Sequence, residues 1–321
     1  MPEFQRQFVW RPVQARKLIE SFLLGLPVPA IFLYTEYDSQ KKLLVDGQQR
    51  LKSIAYFFSG YFGEEYQEKR SVFRLKGISE NSKYHNKTFD DLNEEDQRKL
   101  KDSVLRAFII QQLSPKDDTS IYHVFERLNT GGTFLNNQEV RNCVYYGDFN
   151  DLIKQRLNLD DNWRKILGKA EPDKRMIDHE LILRFLSLTC NVQNYEKPLK
   201  DHISKYLKRH RNPSKDFLNA TENTFNRTCE IVFKTLGEKP FHIKRGLNAA
   251  AFDCVMAAFA KNLNKFPEVI SEKKQKRIKT KYKELINELD TQKLITSGTT
   301  DISVVKKRFE LAEHYLFPGD E

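Results

Sequence analysis

Five consecutive residues, Asp46, Gly47, Gln48, Gln49 and Arg50, stand where a short apolar run, Leu43-Leu44-Val45, gives way to a helical pattern. A strand entering a helix through such a turn is a site for an anion. The first backbone N–H groups of a helix have no carbonyl behind them, and the helix dipole adds positive potential at that end. Gly47 lets the chain turn tightly or approach a ligand closely. Arg50 offers a planar fork for a phosphate. Asp46 suits a metal-bound water, the orientation of Arg50 or a ribose hydroxyl, and Gln48 and Gln49 supply uncharged donors and acceptors. The simpler alternative is a hairpin end in which Arg50 pairs with Asp46.

Other reactive side chains are scattered. Cys143, Cys190, Cys229 and Cys254 form no C-x-x-C pair and read as reduced, mostly buried thiols. His202 and His210 lack an H-x-x-P and the later Asn and His of a ββα-metal nuclease, and His179 stands alone, so no metal ligands are assigned. His123 and His314 fall in helical patterns and read as packed. Asp178 and Glu180 read as helix N-terminal caps, and Trp10 as packing. Two stretches, KPLKDHISKYLKRHRNPSK (197–215) and EKKQKRIKTKYK (272–283), each carry seven Lys or Arg. Each reads as a solvated helix face or as a surface for the DNA backbone.

The elements that would position the turn follow from punctuation and periodicity. Pro12 opens a helix to Leu24, with Leu18, Ile19, Phe22 and Leu23 on one face and Gly25 as its cap. Ala30–Tyr34 and the segment KLLVD read as a hairpin, and Gln48–Phe58 as the helix after the turn. Val72–Leu75 and the segment VLRAFIIQQL read as strands. Asn93 caps a helix with Glu94, Glu95 and Asp96 in its first turn. Asp118–Leu128 reads as helix and NTGGTFLN as a break. Asn136 or Asn137 then caps a helix through Tyr145. Beyond about residue 150 strand signals cease and helical spacing takes over, with Ile278, Tyr282, Leu285, Ile286 and Leu289 on one face of a late helix. A boundary near 150 follows.

The chain has 321 residues, 39% hydrophobic and 31% charged, enough for a sizeable core. No run nears the roughly 20 apolar residues of a membrane-spanning helix, and MPEFQRQFVW is no secretory signal. A cytoplasmic protein without a membrane partner is expected. The net charge of +10, from 54 basic and 44 acidic residues, suits a polyanionic partner.

Three segments, FQRQFVW (Phe4–Trp10), LIESFLLGLPVPAIFLY and VDGQQRLKSIAYFFSG, come in the order and spacing of one family. The chain resembles the N-terminal domain of GmrSD-type restriction endonucleases, which is similar to the ParB and sulfiredoxin folds. FERLNTGGTFLNNQEVRNCVYYGDF (Phe125–Phe149) looks like the family's second motif, and IDHELILRF and RGLNAAAFDCVM look like its helical extension. The resemblance implies an α+β fold, a ParB/sulfiredoxin-like small mixed sheet with helices over 1–150, followed by an all-helical domain over 151–321.

The resemblance also implies a nucleotide-binding, NTP-hydrolysing module of a prokaryotic anti-phage defence system. Asp46, Gly47, Gln48, Gln49 and Arg50 would form the phosphate loop. Gln5 and Arg6 would come from the neighbouring strand. Asn129, Gly131 and Gly132 would close a second loop across the pocket, supported by Glu139, Arg141 and Asn142. Asp46, Arg50 and Glu139 are the expected catalytic groups. The cofactor would be an NTP with Mg2+, since polyphosphate charge must be neutralised during transfer. The partners would be DNA, through the basic helical segments, and a protein supplying effector or nuclease chemistry. The chain begins almost at the first motif, so an outer strand is expected to be absent or supplied by another chain. Two other readings stay open: a ParB-like DNA nuclease, and a non-catalytic module that binds DNA or protein.

Overall fold

The computed structural model describes residues 8–35, 40, 42–63, 70–79, 81–111, 136–244 and 246–318. The chain divides into two compact units, Met1–Val144 and Tyr145–Glu321.

In the first unit, α1 (Pro12–Leu24) ends at Gly25, whose φ of 70° is the left-handed cap that a glycine takes without strain. Strand β1 (Ile31–Thr35) pairs antiparallel with β2 (Lys42–Asp46), and α2 (Gln48–Ser59) follows at once. Next come β3 (Tyr61–Phe62), β4 (Ser71–Val72), α3 (Glu94–Lys101), β5 (Ala107–Gln111) and α4 (Asn137–Val144). The sheet has the order β2-β1-β5, with β1 and β5 parallel. β3 and β4 form a separate two-stranded ribbon.

The core of this unit lies between α1, α2 and the chain that follows α2. Leu18, Ile19, Phe22 and Leu23 of α1 pack with Tyr56 and Phe57 of α2 and with Phe73, Leu75, Ile78 and Tyr84. The spacing that puts those α1 residues on one face is therefore what docks it. Trp10 is half-buried against the same core, as expected of a packing residue. Asn93 caps α3, its Oδ1 accepting from the Asp96 N–H at 2.7 Å. The run expected as a strand over 72–75 pairs only at Ser71–Val72, with Phe73 and Leu75 instead buried in the core.

Among its described residues the second unit is helical apart from a two-stranded ribbon, β6 (His242–Ile243) with β7 (Gly246–Leu247). Its helices are α5 (Asp148–Gln155), α6 (Asp161–Leu167), α7 (Ile177–Asn191), α8 (Leu199–Arg209), α9 (Lys215–Leu236), α10 (Ala249–Lys261), α11 (Glu272–Thr291) and α12 (Ile302–Leu316). Helix α10 is buried over Ala250–Phe259 and forms the centre. Trp163, Phe225 and Phe252 meet there, with Trp163 5.6 Å from each of the other two rings. The mixed sheet with helices followed by a helical segment is the expected α+β arrangement.

Two buried polar clusters hold the helices of this unit. Asp253 of α10, fully buried, accepts both fork nitrogens of Arg184 from α7, at 3.1 and 2.6 Å, and Arg308 from α12 at 3.3 Å. Asp178, expected as a helix cap, is a hub instead. Its Oδ2 accepts from Asn158, Arg164 and the Asp173 N–H, at 3.0, 3.0 and 2.8 Å. His314, expected to be packed, is exposed near Tyr315. Cys229 and Cys254 are buried, whereas Cys190 is exposed. No helix among the described residues is long and apolar enough to cross a membrane.

Candidate functional site

The turn between β2 and α2 is built by one close approach. Asp46, the last residue of β2, is paired with Phe32 of β1, and the ladder is irregular between Phe32 and Leu33. Gly47 takes φ +105° and presses against the start of β1. A Cβ at Gly47 would lie 2.3 Å from Cγ2 of Ile31 and 2.8 Å from its Cβ. Both the dihedral and the wall therefore require glycine here.

Helix α2 starts without help from its cap residue, because Gly47 has no side chain to offer. The first helical bond runs from the Leu51 N–H to the Gly47 carbonyl at 2.9 Å. The amides before Leu51 have no helical carbonyl behind them, and the positive end of the helix lies at this turn.

Arg50 is folded back into the turn rather than extended from it. Its Nη2 donates to the Ala30 carbonyl at 3.0 Å and to Asp46 Oδ2 at 2.5 Å. The Arg50 side chain is 10% exposed and that of Asp46 42%. The Asp46–Arg50 pairing of the simpler reading is thus present. It uses one nitrogen of the fork, and Nε of Arg50 is buried with no hydrogen-bond partner. A buried, unpaired N–H on a guanidinium costs about 1–3 kcal/mol or more, so it marks a place where an acceptor would be gained.

Gln49 does something sequence reasoning did not assign to it. It is buried, and its Oε1 accepts from the Val9 N–H at 2.8 Å and the Trp10 N–H at 3.1 Å. Phe8 in the same segment stacks edge-on against Tyr56 of α2 at 5.0 Å. The end of the Phe4–Trp10 motif is therefore fastened to the second residue of α2. Gln48 beside it is half-buried.

Glu139 sits in a reciprocal cap at the start of α4. Its Oε2 accepts from the Asn136 N–H at 2.6 Å, while Asn136 Oδ1 accepts from the Glu139 N–H at 2.8 Å. Along the same helix Arg141, fully buried, donates to Gln138 Oε1 at 2.9 Å, and Gln138 donates to Asn142 Oδ1 at 3.0 Å. Glu139 is thus bonded within the cap, Arg141 and Asn142 are linked through Gln138, and all three are buried. Gln5, Arg6, Asn129, Gly131 and Gly132, the helix expected over Asp118–Leu128 and His123 lie outside the described residues.

The structure places Asp46, Gly47, Gln49 and Arg50 at one turn and adds Ala30 and Ile31. Nothing in the sequence marks those two. One contributes a backbone oxygen and the other a methyl wall, and neither role depends on a distinctive side chain. Among the described residues no group of three or more His, Cys, Asp or Glu could hold a metal ion.

Residues 1–146 match the family model described as the GmrSD restriction endonuclease N-terminal domain. That segment belongs to this family. The GmrSD N-terminal domain ends within two residues of the end of the first compact unit at Val144. The family is a restriction-type, defence-related one that acts on DNA. A comparison with curated protein sequences finds no match.

Proposed function

We propose that the β2–α2 turn of this GmrSD N-terminal domain is a nucleoside triphosphate site and that the domain hydrolyses the nucleotide. The observation that carries the reading is the buried, unpaired Nε of Arg50 at the uncapped start of α2. An oxyanion placed there would gain that donor, the amides of the first helical turn and the helix dipole at once. Gly47 lets this turn close against Ile31.

In this reading Arg50 binds and neutralises phosphate oxygens. Asp46 aims the fork through Nη2, and its partly exposed carboxylate would hold a Mg2+ ion. A single carboxylate with the substrate's phosphates and waters is a usual Mg2+ environment. When bound, the ion would neutralise charge building on the phosphates. Water attacks the γ-phosphorus, the bond from it to the β–γ bridging oxygen breaks, and the water's proton passes to solvent or a carboxylate. Glu139 orders the start of α4 through its cap, which makes it a support for the pocket. The domain would couple this turnover to DNA and to a partner that supplies effector chemistry.

A second reading is favoured by the Asp46–Arg50 bond itself. If that pair stays closed, the turn serves as a binding element without turnover. Phosphate release from each common NTP, with Mg2+ and with or without DNA, separates the two. Release from one nucleotide that disappears in Arg50→Ala supports hydrolysis, and saturable binding without release supports the second reading.

A further inference from the structure

Helix α11 carries its charges against its own dipole. The stretch Glu272–Lys283 holds seven basic residues and one acid. Lys273, Lys274, Lys276 and Arg277 fall in the first two turns, where the helix end is already positive. Cations in the first turn, Lys273 and Lys274, are disfavoured by about 0.3–1 kcal/mol each. A local choice that opposes the fold in this way is expected where a ligand compensates it.

Lys273, Lys274 and Arg277 line a cavity of about 500 Å3 with Lys265, Ser271 and Phe317 among its walls, and no acid among the described residues lines it. Two of the cations are anchored. Lys274 donates to the Lys265 carbonyl and lies 4.8 Å over the Phe266 ring, and Lys265 lies 6.0 Å over the Phe317 ring. The other two, Lys273 and Arg277, are exposed and make no ion pair or hydrogen bond among the described residues. Lys279 and Lys283 are likewise exposed farther along α11. The inward face is apolar: Ile278, Leu285 and Leu289 are buried and the Tyr282 hydroxyl donates to the Pro240 carbonyl. The cations are therefore held outward by a helix that cannot roll. From Lys273 to Lys283 the helix rises about 15 Å, enough for successive phosphates of one strand.

We infer that the cleft at the start of α11, with Lys273 and Arg277 as its free cations, binds the phosphate backbone of DNA. The site lies in the second unit, outside the GmrSD N-terminal match, and does not depend on the nucleotide reading of the β2–α2 turn. The contact is one of charge and geometry, without base readout, so it is expected to be salt-dependent and indifferent to sequence.

The test is fluorescence anisotropy of a labelled DNA duplex with the full chain, without nucleotide, from about 50 to about 200 mM salt. Lys273→Gln/Arg277→Gln is expected to lower affinity about tenfold and to reduce the slope of log K against log salt by about two. Lys174→Gln/Lys307→Gln, which removes the same charge from the helical unit outside both basic stretches, is the control and is expected to lose far less. All the substituted side chains are exposed, and circular dichroism checks that each variant folds. The difference should persist in an Arg50→Ala background, so failure of the nucleotide reading leaves this result unmoved. The proposal is overturned if the wild-type chain does not bind DNA. It is overturned equally if the double variant keeps wild-type affinity and slope, or loses no more than the control.

Discussion

Arg50 and Asp46 are joined across one helical turn by a single nitrogen, Nη2, which at the same time reaches the Ala30 carbonyl at 3.0 Å. The fork is therefore pinned at one tip while its Nε remains buried and unpaired. A charge held this way is oriented in advance, which lowers the ordering cost when a phosphate arrives.

Gly47→Ala should damage this turn more than a usual surface substitution. The added Cβ would stand 2.3 Å from Ile31 Cγ2, at a φ of +105°. Strain of this kind costs about 1–3 kcal/mol and the overlap adds to it. Denaturant melts of the domain should show that loss. An unchanged midpoint would mean that the turn is built differently.

Gln49→Ala should release the Val9–Trp10 segment. Two backbone N–H groups lose the shared Oε1 acceptor, at a cost of about 1–3 kcal/mol where they stay buried. Hydrogen exchange should speed up at Val9 and Trp10 and leave α9 and α10 untouched. Protection that persists at those two amides would contradict the clamp.

Asp253→Ala should be the most destabilising single change in the helical unit. It leaves the buried Arg184 and Arg308 without the carboxylate they share, and breaking a buried pair from one side costs about 3–5 kcal/mol. Thermal unfolding monitored by Trp163 fluorescence reads it. A loss under 1 kcal/mol, about the value of an exposed pair, would show that water reaches the cluster.

Stability should also fall in acid through His179. Burial lowers its pKa to about 4 from 6.5, against a smaller opposing pull from Asp178. The unfolded chain binds the proton more readily, so the contribution is complete above pH 6.5 and is lost as the pH falls toward 4. Its size is on the order of 3 kcal/mol. Burial moves His202 and His210 in the same direction. Attribution therefore rests on His179→Gln, whose stability should change less between pH 7 and about 4 than that of the wild type. An identical slope would assign the effect elsewhere.

What the sequence showed depended on how local the cause was. Helix α1 was legible to the residue because Pro12 and Gly25 punctuate it and its apolar face has one period. The cap at Asn93 was legible for the same reason, a short side chain meeting an amide three residues on, and the next was narrowed to Asn136 or Asn137, of which Asn136 caps. Ribbon β3–β4 was not, since its two-residue strands leave no alternation to detect. Asp178 read as a cap because its position at a helix start is visible, whereas the Arg164, Asn158 and Asp173 groups that converge on it are joined only by folding. In the site, the need for a glycine at 47 could be seen, but the Ile31 wall that enforces it could not. Gln49 looked like a ligand because it stands in the motif, and only the fold reveals that its oxygen is committed to the chain at Val9 and Trp10.

The proposed function stands or falls with Arg50 as the phosphate ligand. Calorimetric titration of the wild-type chain and of Arg50→Ala with each common NTP, with Mg2+ and with and without DNA, tests it most directly. One nucleotide should bind the wild type, and Arg50→Ala should weaken it at least about tenfold, since a charge-assisted contact of this kind contributes about 1.5–3 kcal/mol. Circular dichroism should show the variant still folded. Equal affinity in the folded variant, or no binding of any nucleotide to the wild type, would contradict it.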